Sequence, residues 1–450
     1  MFDKIKIKGL LAEEIKTFAL QHPRSKSYYR EGRRNLLYGV PMNWMQMWPG
    51  GFPIVVKEAE GATVIDLDGH SYVDLCLGYS AALNGHNPRK IIAALSRQMQ
   101  KGSVFTLPSE KANETGFQLE ERFRLPVWGF ALSATDANRF VLRIAREVTG
   151  RKKILVFDGC YHGTVSECFI ALENEEAITR PGNMGKGFDT PDTTCVIHFN
   201  DLQALEKALR TEEIACLIME PVMTNMGIIH PDAGFLEACR ILTRETGTIW
   251  IIDEAHTITA GHKGYTGRYG LMPDILVLGK CIGGGFPVGC YGMTHEIAEG
   301  LYKNSVPEFA DTSGIGGTMT GSPLAMAAIS ATLEYGLTEE AFIKSIALAD
   351  EFVAGINRVI KKYKLPFCTN QLGARAEYVF SGTPAHNAAE NTALANHDLY
   401  AYFFIASLNR GFILSPYFNI MASFSPAMAM RDIRRHETVF EDIVIKLLKL

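Results

Sequence analysis

Thr248-Ile249-Trp250-Ile251-Ile252-Asp253-Glu254 and, twenty residues on, Asp274-Ile275-Leu276-Val277-Leu278-Gly279-Lys280 are the two segments whose reading decides the fold. Each is a short unbroken apolar run rich in β-branched residues, and Gly247 bounds the first. Such runs predict strands buried on both faces, as in a parallel sheet. In an open α/β sheet, ligands gather beyond the carboxyl ends of the strands. The two strands therefore deliver an acid, Asp253, and an amine, Lys280, to the edge where a ligand is held. A lysine at the end of a buried strand is costly unless it loses its charge, pairs with an anion or is bound covalently. The tail Cys281-Ile282-Gly283-Gly284-Gly285 gives the chain beyond it freedom to turn.

Working outward, helix and strand patterns alternate from residue 110 to about 335, the signature of a wound parallel sheet. Lys153–Phe157, 195–199 and Ile214–Met219 read as further strands, with helices over Leu202–Leu209 and Phe235–Thr246. Thr135 or Asp136 is expected to cap a helix ending near Gly150. Beyond Gly336 the texture becomes α+β: a long amphipathic helix over about 338–363, a strand at 376–381, a helix over about 392–409 and a terminal helix from Arg431. A chain of 450 residues exceeds the size at which one core keeps growing. The expected layout is an N-terminal segment over 1–65, a large α/β domain over 66–335 with helices on both faces of a mainly parallel sheet, and a small α+β domain over 336–450.

Composition narrows the function. Apolar residues are 47% and charged residues 21%, and 45 basic against 49 acidic residues leave a formal net charge of −4. That balance offers no field for nucleic acid or an anionic membrane. Apolar runs fall short of the ~20 residues of a membrane helix. The nine cysteines are scattered without a Cys-x-x-Cys spacing, which predicts reduced thiols, no disulfide frame and a cytoplasmic setting. Residues 1–8 lack the apolar core of a signal peptide. The twelve histidines contain no His-Glu-x-x-His, so the sequence predicts no metal site.

An amine and an acid at one sheet edge are the groups that pyridoxal phosphate chemistry uses: the lysine forms a Schiff base with the aldehyde, and the carboxylate keeps the pyridine nitrogen protonated. Three other segments fit the same ligand. Ser133-Ala134-Thr135-Asp136-Ala137-Asn138 opens a helix, and such a start both caps itself and attracts phosphate. Asp158-Gly159-Cys160-Tyr161-His162-Gly163 presents a ring at a strand end, where it can stack on a planar ligand. Glu220-Pro221-Val222-Met223-Thr224-Asn225 offers an acid and an amide after another strand.

In this order the segments resemble the fold-type I pyridoxal-phosphate enzymes, and within them the class III aminotransferases that include glutamate-1-semialdehyde aminomutase. The resemblance runs over roughly residues 64–425. It implies that Lys280 is the Schiff-base lysine and proton-transfer base, and that Asp253 pairs with the pyridinium nitrogen. Tyr161 would stack on the ring, while Asn225, with Glu220, would reach the phenolic oxygen. Ala134 and Thr135 would hold the phosphate, and Thr318, in Gly317-Thr318-Met319-Thr320-Gly321, would add a phosphate contact from the other subunit of a homodimer. The chain departs from the family pattern at Ala134, where glycine is usual, and at Ala255-His256, where a valine usually faces the cofactor. Some β-amino-acid aminotransferases of the group carry a carboxylate-binding arginine in the loop that here holds Trp44, Met45, Met47 and Trp48. A gap-free alignment puts Trp44 there, which favours an apolar amine or a substrate with a remote acid group. Arg375 or Arg410 could take a keto-acid carboxylate. The leading expectation is transfer of an amino group from an amine donor to a keto acid or aldehyde. Its alternative is an isomerase, aminomutase or racemase, built on the same machinery, and a cofactor-binding protein without turnover comes third.

Overall fold

The two apolar runs form adjacent strands, Ile249–Asp253 and Ile275–Leu278, at the centre of a seven-stranded sheet. The computed structural model describes residues 3–185, 190–304, 313–416 and 420–449. These fall into two units, one formed by Arg89–Glu339 with Ala385–Ala393 and the other by Met1–Pro88, Glu340–Pro384 and Leu394–Leu450.

In the first unit the strand order is Val127–Ala131, Gly289–Met293, Ile275–Leu278, Ile249–Asp253, Ile214–Met219, Lys153–Phe157 and Thr194–Ile197. Only Gly289–Met293 runs against its neighbours, and the other ladders are parallel. Six strands therefore end at the same edge. Every residue of Ile214–Met219, Ile249–Asp253 and Ile275–Leu278 is buried, so both faces are covered. Ile249, Ile251, Ile275 and Val277 join a cluster with Phe140, Val141 and Ile144 of the helix Ala134–Thr149. Side chains of odd parity thus meet that helix, while Trp250, pointing the other way, lies under the Arg240 guanidinium of the helix Phe235–Thr246.

The second unit carries a four-stranded sheet, Val56–Glu60, Thr63–Asp66, Ser71–Asp74 and Phe412–Ile413, and a three-stranded antiparallel sheet, Cys368–Leu372, Arg375–Val379 and Ile420–Ser423. Helices Lys4–Gln21, Glu339–Tyr363, His397–Leu408 and Met430–Lys449 contribute to its core. The core is aromatic: Phe352, Tyr378, Phe403, Phe424 and Phe440 are all nearly solvent-free.

His436 lies in this core against the rings of Phe352 and Phe412, and neither ring nitrogen has a hydrogen-bond partner among the described residues. Burial, reinforced by the charge of Arg435, pushes its pKa down to about 3. A base whose folded pKa is depressed binds fewer protons folded than unfolded. Stability from this site is therefore present above the unfolded value of about 6.5 and falls as pH drops toward 3, by up to about 1.4 kcal/mol per pH unit. Unfolding midpoints measured from pH 7 to pH 4 are expected to fall steeply in the wild type and less steeply in His436→Phe.

Two local expectations are corrected. The cap of Ala134–Thr149 is Ser133, not Thr135 or Asp136; its extended backbone lets Oγ accept the Asp136 amide. The helix expected over 392–409 is two helices, Ala388–Leu394 and His397–Leu408, because the Asn396 side chain caps the Leu399 amide and starts a new one. All nine cysteines are unpaired. No helix among the described residues is long and apolar enough to cross a membrane.

Candidate active site

Asp253 closes its strand in register with Val277, three residues before Lys280 on the neighbouring strand's continuation. The carboxylate is buried. Its Oδ2 accepts from Asn138 Nδ2 and His162 Nδ1, both at 2.8 Å, and its Oδ1 accepts the Ala255 amide at 3.0 Å. An ionised carboxylate has about four acceptor sites, so these three bonds fix its orientation and leave room on Oδ1 for one more donor. Burial, the largest single influence, opposes ionisation of Asp253. The hydrogen bonds and charge of His162, with the Ala255 and Asn138 bonds, outweigh it and hold the carboxyl below its ordinary range. Burial likewise opposes the His162 imidazolium, and the Asp253 carboxylate together with Cys160 overturns it, pushing the ring up to about 10. The outcome is a charged pair held at the sheet edge.

The acidic neighbour has a different task. Glu254 is buried and accepts the amides of Tyr265 and Thr266 at 2.7 and 2.6 Å, so it caps the helix Gly264–Tyr269. Burial pushes its pKa up to about 7.

Lys280 follows Gly279 and opens a 3₁₀ turn, Lys280–Gly283, with φ of +48°. A left-handed lysine is an uncommon conformation that surrounding structure must impose. At Gly279, just before it, a Cβ would lie 2.6 Å from the Cβ of Ala134. Across the sheet edge, then, the start of the helix Ala134–Thr149 presses directly on the residue before Lys280. Of the first four amides of that helix, Asp136 is taken by Ser133 Oγ and Ala137 by the Ser133 carbonyl. Among the described residues nothing takes the amides of Ala134 and Thr135, which remain for an anion. Thr135 Oγ1 accepts the Thr164 amide, and Gly163, with φ of +79°, has no room for a side chain against Thr135. This ties the Tyr161-His162-Gly163 turn to the helix start.

Tyr161 is half-buried, and burial raises its pKa against the pull of Arg180. Glu220 is buried and engaged by the Thr224 hydroxyl. It shapes the loop closed by the Met223–Ile229 bridge, which presents half-buried Asn225. Thr318 lies exposed in the loop before the helix Pro323–Tyr335. In the other unit, Trp44 is half-buried with its ring edge-on to Tyr79. Tyr79 belongs to a strained loop in which Leu77, Tyr79 and Ser80 have φ of +47°, +56° and +71°. Arg375 is fully buried with a guanidinium nitrogen against Met421 Sδ. Arg410 forms a paired contact with Glu14 at 3.0 and 3.2 Å, which anchors the helix Lys4–Gln21 to His397–Leu408. The sequence reading missed Asn138 and the pairing of His162 with Asp253. The available signal was that Asn138 lies one turn into a helix whose start was already singled out.

An anchored carboxylate, a strained lysine and two open amides at a helix start, all along one carboxyl edge, match the three handles of one cofactor: pyridine nitrogen, aldehyde and phosphate. This arrangement and fold define a pyridoxal-phosphate enzyme of fold-type I, and pyridoxal 5′-phosphate is its cofactor. The family model for aminotransferase class III matches residues 45–415. The chain is 34% identical over 369 residues to a glutamate-1-semialdehyde 2,1-aminomutase 2 of Halalkalibacterium halodurans, covering 81% of this chain and 84% of the relative. It superposes on the crystal structure of a glutamate-1-semialdehyde aminomutase from Pseudomonas aeruginosa with a TM-score of 0.97 at 40% identity, covering 99% and 100% of the two chains. A structure of a variant of that protein is a complex with PMP, with the same TM-score and identity. The protein belongs to the class III aminotransferase family.

Proposed function

We propose that the protein is a pyridoxal-phosphate-dependent aminomutase, which returns the nitrogen to the molecule that supplied it, acting on amino aldehydes of the glutamate-1-semialdehyde type. The observation that carries this reading is the likeness, over nearly the whole length, to a Pseudomonas aeruginosa protein so described. The sequence alone put transfer to a separate acceptor first, because Lys280 and Asp253 serve both reactions; the described relatives favour the isomerase.

When bound, the cofactor supplies an aldehyde for the amine and a protonated ring that withdraws electrons from the reacting carbon. Lys280 Nζ then takes and returns the proton at that carbon, a positioned transfer worth about 10²–10⁴ in rate. Asp253 keeps the pyridine nitrogen protonated, and His162 and Asn138 keep Asp253 ionised and oriented. Tyr161 would cover the ring and Asn225 would meet its phenolic oxygen. Ala134 and Thr135 would hold the phosphate, joined in a homodimer by Thr318 of the partner subunit. Glu220 shapes the loop that carries Asn225.

Stoichiometry tests the proposal. Supplied with glutamate-1-semialdehyde and no keto acid, the enzyme is expected to convert many equivalents per site. Stalling after one equivalent, with recovery on adding a keto acid, would instead establish the intermolecular transaminase.

A further inference from the structure

We propose that His22, Asp66 and His70 form a divalent-cation site, suited to zinc, that clamps the N-terminal helices to the hairpin formed by the strands Thr63–Asp66 and Ser71–Asp74. His22 stands at the junction of the helices Lys4–Gln21 and Pro23–Gly32. Asp66 and His70 face each other across the turn at Gly69, where φ is +94°. The turn is locked by two bonds, Asp66 amide to His70 carbonyl at 3.0 Å and His70 amide to Asp66 Oδ1 at 2.8 Å.

The ligand atoms converge. His22 Nε2 and His70 Nδ1 each lie 3.3 Å from Asp66 Oδ2, and all three atoms are within 4.8 Å of one another. Tetrahedral zinc with bonds of about 2.0–2.2 Å sets its ligand atoms about 3.4 Å apart. His22 Nδ1 lies 2.7 Å from the Phe18 carbonyl, which accepts only, so Nδ1 carries the proton and Nε2 offers its lone pair to the cluster. Metal-bound histidines are oriented by this same bond from the other ring nitrogen to a carbonyl. His22 and Asp66 are 1% and 0% exposed, whereas 40% of the His70 side chain reaches solvent and leaves a route for the ion.

Proton counting points the same way. The Tyr72 hydroxyl lies 2.6 Å from His22 Nε2 and 2.8 Å from Asp66 Oδ2, and its one proton cannot serve both. One of these two close contacts therefore lacks the phenol's proton, which is costly in a buried setting. A cation on Nε2 removes the conflict: it takes that lone pair, and the Tyr72 hydroxyl donates to Asp66 Oδ2 alone. Two imidazoles with one carboxylate suit zinc, whereas calcium and magnesium prefer all-oxygen sites. The helix Pro23–Gly32 is already held by Asp68, which accepts the amides of Arg24 and Ser25; the metal adds a second, buried link beside it.

The test uses the full-length chain with its cofactor bound, freed of metal by chelation and dialysis, then titrated with zinc while heat and unfolding temperature are recorded. One zinc per chain and an unfolding temperature raised by several degrees are expected. His70→Ala, at the exposed ligand, should still fold yet bind zinc more weakly by more than the about 10–100-fold that follows loss of an outer partner. His386→Ala, an exposed histidine in the other unit, should bind as the wild type does. No stoichiometric zinc uptake, or equal uptake by wild type and His70→Ala, would overturn the proposal.

Discussion

Lys280→Ala is expected to lower turnover by at least about 10²–10⁴, the range that a positioned proton-transfer group supplies, while the cofactor phosphate still binds. Borohydride should fix the cofactor covalently to the wild-type peptide that contains Lys280, with the matching mass increase, and fix none to the variant. The expectation rests on placement: the residue before the lysine packs against Ala134, and the amides of Ala134 and Thr135 are the ones left for phosphate. A variant that binds phosphate but has lost the amine separates the two functions of this edge. Equal labelling of wild type and variant would move the covalent role to another lysine.

Asp253→Asn should cost about 10²–10³ in turnover, the scale set by removing one preorganised charge partner, with cofactor binding weakened much less. The amide keeps the shape and can still accept the Ala255 amide, but it cannot stay anionic beside a ring nitrogen that must stay protonated. It also ends the ion pair with His162, whose pKa should then fall from about 10 as only Cys160 is left to oppose burial. Proton NMR of the His162 ring over a pH series, beside steady-state rates, checks both arms. Full activity in Asp253→Asn would refute the assigned role of the carboxylate.

Much of this was legible in the sequence because strand burial on both faces leaves a strong mark. The runs ending at Asp253 and Lys280 are apolar without alternation, and nothing but a covered sheet accommodates them. The order of the neighbouring strands and the single antiparallel one, Gly289–Met293, were not legible: Gly289-Cys290-Tyr291-Gly292-Met293 carries two glycines where ring and backbone packing exclude side chains, and reads as loop. Asp253 and Glu254 look alike in the chain, yet one is anchored at the sheet edge and the other caps a helix. That division depends on Asn138 and His162, which approach from over 90 residues away. Asp66 and His70 stand four residues apart in one hairpin, but His22 joins them from a distant helix junction, which local spacing does not show. The choice between transaminase and aminomutase lies outside the residues that do the chemistry.

The left-handed backbone at Lys280 has a consequence for how this protein can change. Any side chain with a Cβ is disfavoured there, by roughly 1–3 kcal/mol for a sparsely populated conformation, and glycine alone is relieved of that cost. Chemistry and thermal robustness are thus opposed at one position. A descendant released from catalysis would gain hardiness by drifting to glycine at 280, so the persistence of lysine there in a lineage is itself a record of selection for turnover.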